Sequence, residues 1–149
     1  MRVVRVTKRK HLDLSGIGAS ITGSRWNSVG KQMVYTGSCG ALAVLEYLTH
    51  VPTGVLPASL MLMQIEIPDT LKIEVVPDVP GDPTAFTRIG DDWLDSNSTA
   101  VLQVPSVLVP RQKNYLLNPN HKLFGAISVV ESNPFAFDSR LLSFTPAPS

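Results

Sequence analysis

Cysteine is almost missing from this chain. Cys39 is the only one in 149 residues, so no disulfide forms within the chain and a multi-cysteine zinc site is excluded. A lone thiol fits a reducing compartment. Surplus charge is missing too: 13 Lys and Arg stand against 12 Asp and Glu, a net +1. That balance offers no general electrostatic case for gripping nucleic acid directly. Long apolar runs are absent, because Glu46, Pro57 and Gln64 interrupt the longest stretches, and none reaches the ~20 residues a membrane span requires. The basic start (Arg2, Arg5, Lys8, Arg9, Lys10) has no apolar segment behind it, so no secretory leader is expected and the cytoplasm is the expected location. His11, His50 and His121 lack metal-ligand spacing such as HExxH, and no metal is expected. Neither GxGxxG nor GxxxxGK[ST] occurs, so any dinucleotide site here is of neither the Rossmann nor the P-loop kind.

What is present describes a folded, fairly apolar protein. Hydrophobic residues make up 44% and charged residues 17%, which argues against disorder. The length suits one domain able to bury its own core. We expect that domain over residues 1–144, with a loose tail at 145–149. The mean hydropathy, +0.13, is high for a lone soluble domain. Exposed apolar patches mark interfaces, which keeps open a non-catalytic module that exists to bind a partner.

Periodicity predicts many short strands and one good helix. Strands are expected at Val3–Val6, Gln32–Thr36, Leu60–Ile67, Leu71–Val76, Val101–Val109 (interrupted at Pro105 and Pro110), Phe124–Val130 and Arg140–Phe144. Residues 11–30, rich in Gly and Ser, read as a long loop with one helical turn, and loops of that length in a compact domain are usually functional. Ser38 is expected to cap a helix that runs to about His50 and that Pro52 brings to an end. This helix is apolar around most of its circumference and is expected to be largely buried. Pro77 to Pro83 reads as a rigid connection, and Ile89–Asn97 as a short helix. With no regular βαβ alternation, the pattern favours an α+β fold.

The residues with chemical potential begin in GSRWN, Gly23 to Asn27. Arg25 in that loop is able to fork onto a pyrophosphate, although a single surface arginine more often pairs with an Asp. Trp26 beside it is expected to pack into the core. Tyr35 follows ten residues later, either a packing residue with a wet hydroxyl or a flat face for a ring. Glu46 comes eleven further on, in a narrow polar sector with Thr49 and His50. Composition alone favours that sector facing water, and the functional alternative is a carboxylate lining a cleft. Ser106, between two prolines in VPSVLVP, is either a turn serine or a donor to a ribose or phosphate oxygen. It is not in a GxSxG elbow. Arg, Tyr and Glu so spaced suit a phosphate, a flat ring and a developing positive charge, which a nicotinamide dinucleotide presents as its glycosidic bond breaks.

Taken together, GSRWN, MVYTGSCGALAVLEYLTH and VPSVLVPRQKNYLLNPNH resemble the RES-domain family, the toxin half of bacterial Xre–RES toxin–antitoxin pairs. The segments run in family order and span most of the chain, and VVRV and LSGIGA also look familial. The resemblance implies a compact single-domain α+β fold with a split, mixed sheet and few helices, like that of ADP-ribosyltransferases. It implies NAD+ as substrate and an Xre-type antitoxin that covers the active site, with any DNA contact made through that partner. Carried over by position, Arg25, Tyr35, Glu46 and Ser106 form the active-site set, with Arg5 and His121 as weaker additions that bind NAD+. Ser24 stands where the family's motif often has a second Gly, and Lys122 where it often has Pro after the histidine. The resemblance leaves the acceptor open between water, phosphate and a protein side chain.

Overall fold

In a computed structural model, which describes residues 1–143 and 147–148, the described residues form seven strands and three α-helices. The strands are β1 (Arg2–Lys8), β2 (Val34–Gly37), β3 (Leu60–Glu66), β4 (Ile73–Val75), β5 (Val101–Pro105), β6 (Lys113–Leu117) and β7 (Ser128–Phe135). The helices are α1 (Ile17–Thr22), α2 (Gly40–Leu48) and α3 (Ala85–Ser96). The seven strands make one mixed sheet in the order β4-β5-β6-β2-β1-β3-β7. Only β4 and β5 pair in parallel among the described strands, because α3 supplies the crossover between them that a parallel pair requires. The expected α+β architecture is present. The sheet is close to split at its middle, where β1 and β2 register at Val4↔Gly37 alone while β1 and β3 pair along seven residues.

Alternation along the strands sorts side chains into three packed groups. Val3, Val34, Met63, Ile65, Val101 and Leu117 come from both halves of the sheet and fill one core. Leu102, Val104 and Leu116 point the other way and receive Phe86 and Trp93 of α3 together with Trp26. Val4, Val6 and Leu60 receive Ala43 of α2. Burying side chains of this kind contributes roughly 1.5–3 kcal/mol each, which holds both helices on the sheet.

Several elements depart from the sequence expectation, each for a local reason. Cys39, not Ser38, precedes α2, and it makes no side-chain cap. Ser38 lies one residue too early, because its N–H donates to the Lys113 carbonyl and continues the β2–β6 ladder. Only Leu42 and Ala43 of α2 are buried, while Ala41 and Leu45 face outward, since nothing among the described residues forms a second layer over the helix. Gly37 lets its first turn come close: a Cβ there would lie 3.0 Å from the Ala43 nitrogen. Helix α3 begins four residues before the expected Ile89, started by Asp82, whose carboxylate accepts the Thr84 N–H. Strand β6 was not expected at all. Phe124–Ala126 is a 3₁₀ turn, and the strand lies later, at β7. Pro134 is tolerated there because β7 is an edge. Ser139–Leu142 is another 3₁₀ turn, begun by the Asp138 carboxylate accepting the Arg140 N–H, rather than a closing strand. The expected tail at 145–149 lies for the most part outside the described residues.

Candidate active site

A cleft of about 870 Å³ opens where β1 and β2 diverge. Arg5 of β1, Arg25 of the GSRWN loop, Tyr35 of β2, Glu46 of α2 and Asn114 of β6 all line it. Residues remote in sequence thus share one hollow, which is the placement the sequence reading required of Arg25, Tyr35 and Glu46.

The GSRWN loop is tied down by side chains behind it. The Tyr35 hydroxyl donates to Asn27 Oδ1 at 2.6 Å and accepts the Trp26 N–H at 3.1 Å. Asn27 Nδ2 donates to the carbonyls of Ala19, Ser28 and Lys31. Asp91 on α3 accepts both the backbone N–H of Ser28, at 2.9 Å, and its hydroxyl. Lys31 pairs with Asp95 one turn further along α3. The Thr87 hydroxyl donates to the Arg25 carbonyl at 3.1 Å. Close approach of loop to helix requires Gly90, where a Cβ would sit 1.7 Å from the Trp26 carbonyl oxygen. Trp26 is buried edge-on against Phe86, in the core as expected.

This anchoring leaves Arg25 presented to the cleft. Its side chain is exposed, its guanidinium carbon lies 5.2 Å from the centroid of the Phe86 ring, and it forms no ion pair among the described residues. Stacking on an aromatic face leaves the guanidinium N–H groups available to a ligand. The Tyr35 ring reaches the cleft, while its hydroxyl is spent on the loop. Burial pushes that hydroxyl up to about 12, so it stays neutral near pH 7.

Glu46 is held by one oxygen. Oε1 accepts from Asn114 Nδ2 at 2.7 Å and from Ser106 Oγ at 3.1 Å. Ser106 was expected to touch a ribose or phosphate oxygen. It is instead 4% exposed and sits just behind the lining, at the start of the β5–β6 connection, where its Oγ also accepts the Val109 N–H at 3.2 Å. Its contact is with the carboxylate.

The two weaker additions separate. Arg5 lines the cleft and donates to the Asp13 carbonyl at 2.8 Å. Burial pulls its guanidinium below the ordinary arginine value, and the charge of Asp13 works against that shift. His121 is not brought to the cleft. It is buried in the turn after β6, where its Nδ1 accepts the Leu123 N–H, at the strand's opposite end from Asn114. Asn27, Asp91 and Asn114 were not foreseen as site residues. Asn27 stood inside the GSRWN motif, and Asn114 follows Lys113 at the polar start of β6, ahead of Tyr115, Leu116 and Leu117. Asp91 carried no local signal, because its partner is 63 residues away.

The RES domain family matches residues 2–138. The Prs ADP-ribosylating toxin of Sphingobium sp. (strain YBL2) is 39% identical over 140 residues, covering 87% of each chain. Toxin Res of Yersinia enterocolitica serotype O:8 / biotype 1B is 40% identical over 151 residues, covering 95% of this chain and 99% of that protein. Among solved structures, the M. tuberculosis MbcT–MbcA toxin–antitoxin complex contains a chain that matches with a TM-score of 0.68, covering 90% of this chain and 83% of that one at 15% identity. That last likeness is one of fold. With a family match across nearly the whole length and relatives near 40% identity over most of theirs, the chain belongs to the RES domain family.

Proposed function

We propose that this protein is the toxin of a bacterial toxin–antitoxin pair and that it cleaves the nicotinamide–ribose bond of NAD+, depleting the dinucleotide by transfer to water or phosphate. The observation that carries the reading is the Glu46 carboxylate in the same cleft as the Arg25 guanidinium. Arg25 takes the pyrophosphate in a charge-assisted fork. Nicotinamide leaves as a neutral base with the electrons of the C–N bond, and the ribose carbon becomes oxocarbenium-like, as in glycoside cleavage. Glu46 binds the ribose hydroxyls and offsets the growing positive charge. That attraction is stronger in the transition state than in the ground state, as catalysis demands. Tyr35 contributes its ring to the cleft and its hydroxyl to the loop that carries Arg25.

A second reading, ADP-ribosyl transfer to a cellular protein, is favoured by the name of the Sphingobium relative. Both readings share the first bond cleavage. The partner is an Xre-type antitoxin that covers the cleft. Supporting this are apolar side chains exposed at the cleft rim, Val107 and Leu108, and on adjoining α1, Ile17 and Ile21. No helix among the described residues is long and apolar enough to cross a membrane, and action in the cytoplasm is part of the same proposal.

The test is mass spectrometry of NAD+ products, with and without phosphate, for wild type and Glu46→Gln. Wild type is expected to release nicotinamide. Glu46→Gln is expected to bind NAD+ while losing about 10²–10³ in turnover, the size seen when an electrostatic partner of the transition state is deleted. Full turnover by Glu46→Gln would remove this residue from the chemistry. NAD+ consumption that yields ADP-ribose bound to a cellular protein, with neither free ADP-ribose nor its phosphate ester formed, would establish the second reading in place of the first.

A further inference from the structure

We infer that Asn114 is the positioning residue for Glu46, fixing which carboxylate oxygen faces the substrate. The inference rests on the NAD+-cleaving reading above. Asn114 lies on β6 opposite Gly37 of β2 and Val104 of β5, at the floor of the cleft. Its amide orientation is set by Glu46: Nδ2 lies 2.7 Å from Oε1, and a flipped amide would press two acceptors together. Ser106 donates to the same oxygen, and its own lone pair is occupied by the Val109 N–H, which turns the hydroxyl proton toward Glu46. Oε1 therefore receives two protein donors. Oε2 receives none among the described residues and is the oxygen left to a ribose hydroxyl.

The other end of the amide shows that this arrangement is not made for stability. Asn114 Oδ1 is buried and has no hydrogen-bond partner among the described residues. An orphaned buried acceptor costs stability that an apolar side chain of similar size would not lose. The contact that compensates is the one to Glu46. Aspartate has the same shape, but it would set an anion against an anion. Leucine has neither donor nor orphan. An amide is the side chain of this size that donates without charge.

The experiment compares Asn114→Leu and Asn114→Asp with wild type by thermal midpoint and by nicotinamide-release kinetics. Asn114→Leu is expected to keep or raise the thermal midpoint, since it removes the orphan. Its kcat is expected to fall ~10–100-fold, the size of a lost hydrogen bond to a charged group, with KM for NAD+ moved less than ~3-fold. Asn114→Asp is expected to lose at least as much kcat. Ser106→Ala added to Asn114→Leu should cost other than the sum of the single losses, because both donors hold one oxygen. A purely structural asparagine would show the reverse pattern, with stability lost and kcat kept per folded molecule. If Asn114→Leu fails to fold, Asn114→Ser replaces it, being too short to reach Glu46. Wild-type kcat in any folded variant overturns the inference while leaving the NAD+ reading intact. A wild-type protein that releases no nicotinamide overturns both.

Discussion

Gly90→Ala tests how the GSRWN loop is held. Alanine in a helix interior is normally more stable than glycine by roughly 0.5–1 kcal/mol, so helix propensity alone expects a gain at this site in α3. The tertiary structure expects the opposite sign. A Cβ at Gly90 would lie 1.7 Å from the Trp26 carbonyl oxygen and 2.7 Å from its carbon, and both obstacles are backbone. Contacts under 3.0 Å are essentially never seen for a Cβ, so loop and helix must part by more than 1 Å. The Ser28–Asp91 and Thr87–Arg25 hydrogen bonds span that gap and would stretch or break. Overpacking costs typically ~1–3 kcal/mol, and each lost hydrogen bond adds about 0.5–1.5 kcal/mol. A net loss of roughly 2–4 kcal/mol follows. At about 2–4 °C per kcal/mol for a domain of this size, calorimetry should show the thermal midpoint lower by roughly 5–15 °C. The loop carries Arg25, and a 1 Å misplacement can cost about 10²-fold in rate, so nicotinamide release should fall as well. Gly18→Ala in α1 is the control, because nothing lies within 4 Å of a Cβ there, and it should be neutral or stabilising. If Gly90→Ala raised the midpoint as Gly18→Ala does, the packing of the loop against α3 described here would be wrong.

Three further outcomes are expected. Arg25→Ala should raise KM for NAD+ ~10–100-fold with a smaller change in kcat, since a charge-assisted fork is lost from binding; calorimetric titration with unchanged affinity would place the pyrophosphate elsewhere. Asp91→Asn should raise KM for NAD+ without touching Glu46, because the amide can accept from only one of the two Ser28 groups that the carboxylate holds; an unaltered KM would show that the loop does not need this anchor. Buried Tyr35 titrates at about 12 against 10.0 for an ordinary tyrosine, so the unfolded chain releases this proton first. The stability it contributes is complete below pH 10 and is lost as pH rises toward 12, up to roughly 3 kcal/mol. Tyr35→Phe should therefore be less stable than wild type at pH 8, and the gap should close by pH 12. A gap independent of pH in alkaline melts would contradict the buried, neutral hydroxyl.

Several residues of the candidate site could be singled out in the sequence because they sit in local patterns. Arg25 stands in a Gly/Ser loop bounded by apolar runs, and Glu46 interrupts an otherwise apolar helix. What local pattern could not supply was direction. Ser106 looked like a ligand for ribose or phosphate, yet the β5–β6 connection turns its hydroxyl onto Glu46. Tyr35 looked like a flat face, and its hydroxyl also carries the loop. His121 belonged to the motif in sequence order, but β6 runs away from the cleft and takes it along. Strand β7 was misplaced because its exposed Ser, Asn and Pro residues resemble a loop, and an edge strand tolerates them.

By itself, the sequence determined the elements whose signal lies within a few residues: the apolar alternation of β1 and β3, the helical stretch of α2 with Glu46 in it, the non-repetitive path of the GSRWN loop and the arginine it carries. Only the tertiary structure decided which polar side chains meet. Arg25, Glu46 and Asn114 lie on three elements that touch nowhere along the chain, and their convergence depends on the gap between β1 and β2, on Gly90 admitting the Trp26 carbonyl, and on Asp91 reaching Ser28. The physical reason is that side-chain periodicity is set by the backbone a few residues at a time, whereas a cleft is set by contacts between strands and helices tens of residues apart.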